Sequence, residues 1–265
     1  RSGGGRMRLI HCDQGSDAWH NARAGVITAS MFATARSRVG ELTDQQQLYV
    51  DSVLAGMASK AAAEHAGYKA VPRSAIIEKA IAGEPIGDFS EASKNYAFRL
   101  AIERISGEPL DEGFETFAMR RGHELEPQAR AEHEVQSGLL VKRAGFVLSE
   151  CGDYGCSADG FIGEDGGSEY KCFLDPQKLR TFHIDNDASE VFEQAQGCMW
   201  LTDRQWWHIG LFCPALAAVG KQLWWRRFDR DEAFIAKLRA DLEPFRQMVV
   251  GFEQSLRADD HQEAA

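Results

Sequence analysis

Asp159, Glu169 and Lys171 lie close together in the chain, in a stretch with the texture of β-strands. Residues two apart in a strand point to the same face. We therefore expect Glu169 and Lys171 to share a face and Tyr170 to point to the other side. A hairpin turn between Asp159 and Glu169 can bring the two carboxylates opposite each other. The pattern predicts a site where two acids and one ammonium group converge.

Such a trio suits the hydrolysis of a phosphodiester. Carboxylate oxygens are the ligands that Mg²⁺ and Mn²⁺ prefer. A bound metal lowers the pKa of water and stabilises charge on phosphoryl oxygens, and a neighbouring lysine can orient or deprotonate the attacking water. Taken alone, the same pattern also fits an exposed hairpin with an incidental Glu169–Lys171 ion pair.

The elements that must position these residues follow from hydrophobic spacing and turn chemistry. Gly-Glu-Asp-Gly-Gly at 163–167 predicts a hairpin between strands at 154–163 and 167–173. Ser30 is predicted to cap a short helix, and Pro127 to kink a helix or mark its start. The remaining pattern predicts helices at 43–66, 74–82, 91–106, 115–136, 188–202 and 232–256, and strands at 139–148, 205–213 and 223–228. We expect a single α/β core, with a central mixed β-sheet flanked by helices.

Composition sets limits on function. The 265 residues are 44% hydrophobic and carry a net charge of −10, which is ordinary for a soluble globular protein. The negative charge argues against coating nucleic acid through bulk attraction, although a local basic track remains compatible with it. We expect no membrane segment and no secretory signal. Residues 1–6 are expected to be a cloning remnant, and 7–265 to form one domain.

The six cysteines give no metal-binding spacing, because none of them forms a CxxC pair. Cys151 and Cys156 are the closest pair, and Asp153 is the only obvious further ligand for zinc there. A zinc site is therefore disfavoured, and reduced thiols in a cytosolic protein are expected.

Four sequence blocks together resemble one known family. The chain is similar to the λ-exonuclease family of phage exonucleases, the YqaJ-type viral recombinases, within the PD-(D/E)xK nuclease superfamily. The blocks are QGSDAWHNARAGVITAS at 14–30, RGHELEPQAR at 121–130, CSADG at 156–160 with EYKC at 169–172, and EQAQGCMWLT at 193–202. They occur in the order that the family shows, and residues 37–115 carry little of the resemblance.

The resemblance implies roles for four acidic or basic residues. Asp159 and Glu169 would bind metal, Lys171 would be the catalytic lysine, and Glu126 would complete the metal site from a helix. Glu124 competes with Glu126, because residues two apart on a helix lie about 200° apart and only one of them can face the site.

Further roles concern phosphate binding and an amide beside the active site. By resemblance, Arg23 and Ser30 would hold a 5′-terminal phosphate. A helix start offers free N–H groups to an anion, and arginine adds a bidentate fork. Gln196 matches the family's glutamine beside the active site, although Gln194 remains the alternative.

Two positions depart from the family pattern. Ala158 stands where the family usually has proline before the catalytic aspartate, and Tyr170 replaces the usual aliphatic residue within E-x-K. Since Asp159 itself is present, we expect altered local stiffness at Ala158 without loss of chemistry.

The resemblance implies a restriction-endonuclease-like core with added N-terminal helices. It also implies a Mg²⁺-dependent 5′→3′ exonuclease, in which Mn²⁺ can substitute, acting on double-stranded DNA ends. Such an enzyme would release mononucleotides and leave a 3′ overhang for recombination. A ring-shaped homotrimer, a phage single-strand annealing protein as partner and a bacterial cytoplasm as location are implied as well. The alternatives are an endonuclease on the same core and a catalytically inactive DNA-end-binding protein.

Overall fold

A computed structural model describes residues 7–84, 86–110, 117–172 and 175–258, without the side chains of 117–119 and 123. The described residues form two compact units. One combines residues up to Ala35 with those from Tyr96 onward, and the other is Arg36–Asn95. The expectation of a single domain over 7–265 therefore stays a prediction.

The strands are short, and several of them are interrupted. In chain order they are β1 (Arg8–Ile10), β2 (Ile27–Thr28), β3 (Arg38–Val39), β4 (Asp88–Phe89), β5 (Val141–Arg143), β6 (Phe146–Leu148), β7 (Tyr154–Ser157), β8 (Gly160–Ile162), β9 (Gly166–Lys171), β10 (Trp206–Phe212) and β11 (Leu223–Asp229).

The helices alternate with groups of these strands along the chain. They are α1 (Asp17–Arg23), α2 (Phe32–Arg36), α3 (Asp44–Leu54), α4 (Ser59–His65), α5 (Ala75–Ile81), α6 (Glu91–Ser106), α7 (Phe117–Ser137), α8 (Pro176–His183), α9 (Ser189–Thr202) and α10 (Glu232–Arg257), with 3₁₀ turns at Ala29–Met31 and Pro214–Val219. Among the described residues, none of the helices has the length and apolar character needed to cross a membrane.

The larger unit holds two sheets. The five-stranded sheet has the order β11-β10-β9-β8-β5. Its β9 and β10 are parallel, and the other neighbouring strands are antiparallel. The four-stranded sheet has the order β1-β6-β7-β2. Helix α9 packs on β10 from one side, and α7 contacts β9 and β10. The prediction of a mixed α/β fold with a mixed sheet flanked by helices is confirmed.

Two predicted strands, 139–148 and 154–163, are each split between the two sheets. β6 and β7 pair in the four-stranded sheet, whereas β5 and β8 pair in the five-stranded one. The break in the first strand lies at Gly145, where a Cβ atom would lie 2.0 Å from the Ile10 carbonyl oxygen. The break in the second strand leaves Asp159 between β7 and β8, at the point where the chain passes from one sheet to the other.

Three local predictions are corrected by the structure. The helix predicted at 43–66 is divided into α3 and α4, because the chain turns at Gly56 with a φ of +91°. Ser30 lies inside a 3₁₀ turn and does not cap a helix. Helix α7 continues through Pro127, so the helix start, one of the two predicted alternatives there, is wrong, and the kink stays a prediction.

Two helices, α1 and α8, were missed by the sequence analysis. Helix α8 has standard start signals, with the Asp175 side chain accepting a hydrogen bond from the Gln177 N–H and Pro176 at its first turn. These signals are visible in the sequence, but the helix is short.

The smaller unit has its own helical core. Thr43 and Gln46 form a capping box at the start of α3, with reciprocal side-chain to backbone hydrogen bonds. Its buried apolar cluster consists of Tyr49, Val50, Ala62, Ala63, Ala66 and Ile77. None of the residues predicted to carry chemistry lies in this unit.

Candidate active site

The β8–β9 hairpin brings the two strand carboxylates together. Gly160 pairs with Ser168 in this ladder, so the next position of the register sets Asp159 opposite Glu169. The backbone N–H of Tyr170 donates to Asp159 Oδ2 at 2.6 Å. The Asp159 side chain thus accepts a hydrogen bond from β9 just beyond the last backbone pair of the β8–β9 ladder. The predicted convergence of Asp159 and Glu169 is confirmed.

Lys171 and Glu169 share the front face of β9, as the period of two predicts. Lys171 Nζ donates to Glu169 Oε1 at 2.9 Å, and Gln194 Nε2 from α9 donates to the same oxygen at 2.8 Å. Glu169 is buried, with 7% of its surface exposed. Its other oxygen, Oε2, is buried and has no hydrogen-bond partner among the described residues.

The charges of this site perturb one another. Burial, and then the charges of Glu169 and Glu126, raise the pKa of Asp159 well above its usual value. Burial disfavours the charged form of Lys171, but the charge and hydrogen bond of Glu169 outweigh it and raise the lysine pKa. The lysine is therefore an ammonium group at neutral pH, and the carboxylates repel each other.

Glu126 and not Glu124 is the helical acid directed to the site. Glu126 acts on the pKa of Asp159 and also on that of Cys172, which burial, Asp159 and Glu126 together raise to about 12. Glu124 is exposed and forms an ion pair with Arg121 at 3.5 Å. The two alternatives that the sequence leaves open are thus resolved by the geometry of α7.

The carboxylates fit a hard divalent cation. Glu169 has a buried oxygen without a partner among the described residues, and burial followed by neighbouring acids raises the pKa of Asp159. Both features favour a positive charge between the two carboxyl groups. In the described part of the chain, no three His, Cys, Asp or Glu side chains cluster in a geometry that could hold a metal. Mg²⁺ tolerates this, because it is usually bound through one or two carboxylates together with waters and substrate phosphates.

A cavity of about 80 Å³ lies directly beside Glu169. Its wall contains residues from the first, third and fourth resembling blocks: Gln14, Trp19, Arg23, Ala29, Ser30, Ser157, Glu169 and Gln194. We call this cavity the terminal pocket. Its guanidinium group and two hydroxyls can bind an anion, and the carboxylate of Glu169 lies at the same wall.

Arg23 is held at the wall of the terminal pocket by two side chains. Its guanidinium carbon lies 4.0 Å from the centre of the Trp19 ring, and Nη1 donates to Ser157 Oγ at 3.2 Å. Trp19 Nε1 donates to the same hydroxyl at 2.8 Å. These two contacts hold the guanidinium group at the wall of the pocket.

The loop after Arg23 is also fixed. The Gly25 N–H donates to Glu103 Oε2 at 2.8 Å, and Arg104 Nε donates to the Gly25 carbonyl at 2.9 Å. Ser30 is exposed, and its hydroxyl lies 3.4 Å from Thr28 Oγ1. Arg23 and Ser30 thus meet at one pocket as predicted, although Ser30 reaches it from a 3₁₀ turn and not from a helix cap.

Sequence reasoning missed three residues of this site. Gln14 Nε2 donates to Asp159 Oδ1 at 2.7 Å, so the N-terminal segment touches the aspartate directly. Trp19 and Ser157 line the terminal pocket beside Arg23. All three belong to resembling blocks, and that membership was the available signal.

The assignment of Gln196 to the catalytic set is corrected. Gln196 is fully buried, its Nε2 donates to the Asp229 carbonyl at 2.9 Å, and its Oε1 accepts from the Asp231 N–H at 2.9 Å. It therefore joins α9 to the connection between β11 and α10. Gln194, the alternative, is the glutamine that contacts Glu169.

The cysteines form no disulfide, since all six are free. Cys151 is exposed and Cys156 is buried, so the closest pair in sequence does not share one environment.

The fold and site define a class. A glutamate and a lysine on the central strand of a mixed sheet, with an aspartate opposite them and an arginine-lined pocket beside them, are typical of proteins that handle phosphodiesters. The sequence matches the YqaJ-like viral recombinase domain over residues 18–205. The chain belongs to this family.

Solved structures show the same fold. The alkaline exonuclease LHK-Exo from Laribacter hongkongensis is 23% identical, with 91% of this chain and 96% of that chain covered and a TM-score of 0.64. Its complex with dAMP gives a TM-score of 0.65 over the same coverage. A phage-related exonuclease from Haemophilus somnus 129PT is 20% identical over 70% of this chain and 90% of that one, with a TM-score of 0.53. A search of curated proteins found no relative by sequence.

Proposed function

We propose that the protein is a Mg²⁺-dependent 5′→3′ exonuclease that degrades one strand of linear double-stranded DNA. The observation that carries this proposal is the shared wall between the terminal pocket and the acidic centre, because Glu169 belongs to both. A terminal phosphate held by Arg23 and Ser30 would lie next to the carboxylates, so the adjoining phosphodiester would be the bond presented for hydrolysis.

In this mechanism, Asp159 and Glu169 would hold Mg²⁺ or Mn²⁺, with Glu126 contributing from α7. The metal would lower the pKa of a water and offset charge on the phosphoryl oxygens. Lys171 is fixed by Glu169 at 2.9 Å, where its ammonium group can orient the attacking water and stabilise the negative charge that develops. Gln194 holds Glu169 Oε1 from the helix side and leaves Oε2 available as a ligand.

The products and partners are proposed from family membership. The enzyme would release mononucleotides and leave a 3′ overhang for phage-type recombination, together with a single-strand annealing protein. The similar LHK-Exo has been solved with dAMP, a deoxynucleoside monophosphate. A homotrimeric ring would reconcile the net charge of −10 with DNA binding, because only the channel wall would need to be positive. A bacterial cytoplasm hosting a phage or prophage is the corresponding location.

The decisive experiment is digestion of linear duplexes with a 5′-phosphate or a 5′-hydroxyl, with covalently closed circular DNA as control. Each substrate is incubated with Mg²⁺ and with EDTA. We expect mononucleotide release only from linear DNA with metal, and faster release from the phosphorylated end. Cleavage of the circle would favour the endonuclease alternative, and end binding without cleavage would favour an inactive end-binding protein.

A further inference from the structure

Behind the catalytic strand lies a buried polar network that the proposed reaction does not use directly. Tyr170, on the back of β9, has its hydroxyl 2.8 Å from His133 Nδ1. His133 Nε2 is 2.9 Å from His208 Nδ1 on β10. All three side chains are buried, with His133 fully so. Trp225 covers the pair, with its ring centre 5.3 Å from that of His133 and 4.7 Å from that of His208.

The network satisfies both ring nitrogens of His133. A contact between two imidazole nitrogens needs one donor and one acceptor, so the His133–His208 contact carries a single proton. Burial lowers the pKa of His133. Burial, and then His133 and Arg227, lower that of His208 to about 4. The histidines are therefore neutral at physiological pH. Because the network is buried, its hydrogen bonds are stronger than they would be in water.

Tyr170 connects this network to the acids of the site. Its backbone N–H donates to Asp159 Oδ2 at 2.6 Å, and its two chain neighbours are Glu169 and Lys171. A hydroxyl fixed from behind thus sets the rotation of the strand that presents both groups to the front.

His133 connects the network to the third acid. It lies seven residues after Glu126 on α7, which is two helical turns, so both residues lie on the same side of the helix. The Tyr170–His133 hydrogen bond therefore fixes the helix that carries Glu126 against the strand that carries Glu169.

We propose that Tyr170 and His133 are positioning residues that set the spacing among the carboxylates of Asp159, Glu169 and Glu126. This inference rests on the proposed nuclease function for its activity readout. Outer partners of this kind typically change metal affinity or activity by about 10–100-fold when removed. Neither residue touches the substrate; each acts through the residues that do.

The test compares Tyr170→Phe and His133→Leu with the parent and with Tyr154→Phe, which removes the hydroxyl of another buried tyrosine on β7. For each protein we would measure kcat and KM on 5′-phosphorylated duplex and Mn²⁺ affinity by calorimetry. We would also measure amide hydrogen exchange by NMR at position 170 and at Leu211. We expect Tyr170→Phe to lower kcat and Mn²⁺ affinity about tenfold each, with KM nearly unchanged. In this variant, amide exchange should accelerate at position 170 and not at Leu211. Tyr154→Phe should change none of these quantities.

Kinetics and Mn²⁺ affinity of Tyr170→Phe that match those of Tyr154→Phe would overturn the positioning role, even if its melting temperature falls. If His133→Leu does not fold, Tyr170→Phe alone decides. If the parent proves inactive, the proposed function fails, and Mn²⁺ affinity with Tyr170 exchange still decides the inference. If the parent binds no Mn²⁺ and the amide at position 170 exchanges equally fast in the parent and in Tyr170→Phe, the inference is wrong.

Discussion

The two faces of strand β9 differ in how their titratable groups are paired. On the back, the Tyr170 hydroxyl and both ring nitrogens of His133 have partners. On the front, Glu169 keeps one buried oxygen without a partner among the described residues, and the carboxyl of Asp159 is raised in pKa by burial and by neighbouring acids. Alternate residues of one strand thus serve opposite purposes.

The difference separates stability from function. A buried polar group without a partner costs about 1–3 kcal/mol, so a protein selected for stability alone would pair it or replace it. The front face carries this cost at a carboxylate beside a pocket with a guanidinium group, whereas the titratable groups of the back face, Tyr170 and His133, are paired. A divalent cation would relieve the repulsion between the carboxylates on the front. The Tyr170–His133 hydrogen bond on the back holds the strand that carries them.

The largest effect is expected from removing the front-face ammonium. Lys171→Ala should lower the hydrolysis rate by about 10²–10⁴-fold, because it removes the ammonium group that is held 2.9 Å from Glu169 Oε1. Binding to DNA ends should persist, since the arginine of the terminal pocket is untouched. Cleavage rate and end affinity would be measured together, with the exposed Lys237→Ala as matched control. Turnover near that of the parent would reduce the Glu169–Lys171 contact to a structural ion pair.

The next effect concerns metal and stability together, through Asp159→Asn. Because the folded-state pKa of Asp159 is raised, its stabilising contribution is complete below the unfolded-state value of about 3.9 and is lost as pH rises through the folded-state pKa. At neutral pH without metal, this carboxyl group therefore costs the folded state stability relative to the unfolded chain. The variant should melt higher than the parent there, by about 2–4 °C per kcal/mol.

Adding Mg²⁺ should reverse this order. The parent gains stability from binding, whereas Asp159→Asn has lost a charged ligand and gains little. Melting temperatures would be recorded at acidic and neutral pH, with and without Mg²⁺, and Glu169→Gln would be treated in the same way. A Mg²⁺-induced shift as large in the variant as in the parent would remove Asp159 from the metal site.

The third effect tests whether the terminal pocket binds the 5′-phosphate of a substrate that is cleaved at the front face of β9. Arg23→Ala should slow cleavage of 5′-phosphorylated ends far more than of 5′-hydroxyl ends. Losing one charge-assisted contact costs about 1.5–3 kcal/mol, which corresponds to roughly 10- to 150-fold. The measured quantity is the rate ratio between the two ends, and Arg257→Ala on the end of α10 serves as control. Equal losses on both ends would argue that Arg23 only supports the fold.

The front of β9 was predictable from sequence, and the back was not. The strand period of two places Glu169 and Lys171 together whatever the rest of the fold does, and a hairpin turn fixes Asp159 opposite. The back depends on α7 and β10 meeting β9, and contacts between distant segments leave no local pattern. Tyr170 was noted as a departure from the family, but nothing near it in sequence indicated His133 or His208 as partners.

Helical positions were harder to assign, for a geometric reason. The sequence names Glu124 and Glu126, and Gln194 and Gln196, but each pair is two apart on a helix, so the choice depends on how that helix is rotated. Rotation is set by tertiary packing: α7 by its contacts with β9 and β10, and α9 by the Gln196 bonds to the chain around Asp229 and Asp231. The split strands were missed because Gly145 and Asp159 mark a passage between sheets, which resembles a continuous strand in sequence.

The smallest effect should separate the two glutamines of α9 and thereby sharpen the contrast between functional and structural pairing. Gln194→Ala removes one donor from Glu169 Oε1 and leaves the Lys171 contact intact. We expect the cleavage rate to fall about tenfold, with little change in melting temperature, because Gln194 is only partly buried. Gln196→Ala should do the opposite. It removes a fully buried side chain and leaves the Asp229 carbonyl and the Asp231 N–H without that partner, at a cost of about 1–3 kcal/mol. Rates and melting temperatures of both variants would be measured under one set of conditions. If Gln196→Ala slows cleavage more than Gln194→Ala at equal stability, the glutamine assignment made from the geometry is wrong, and α9 presents its other face to the substrate in solution.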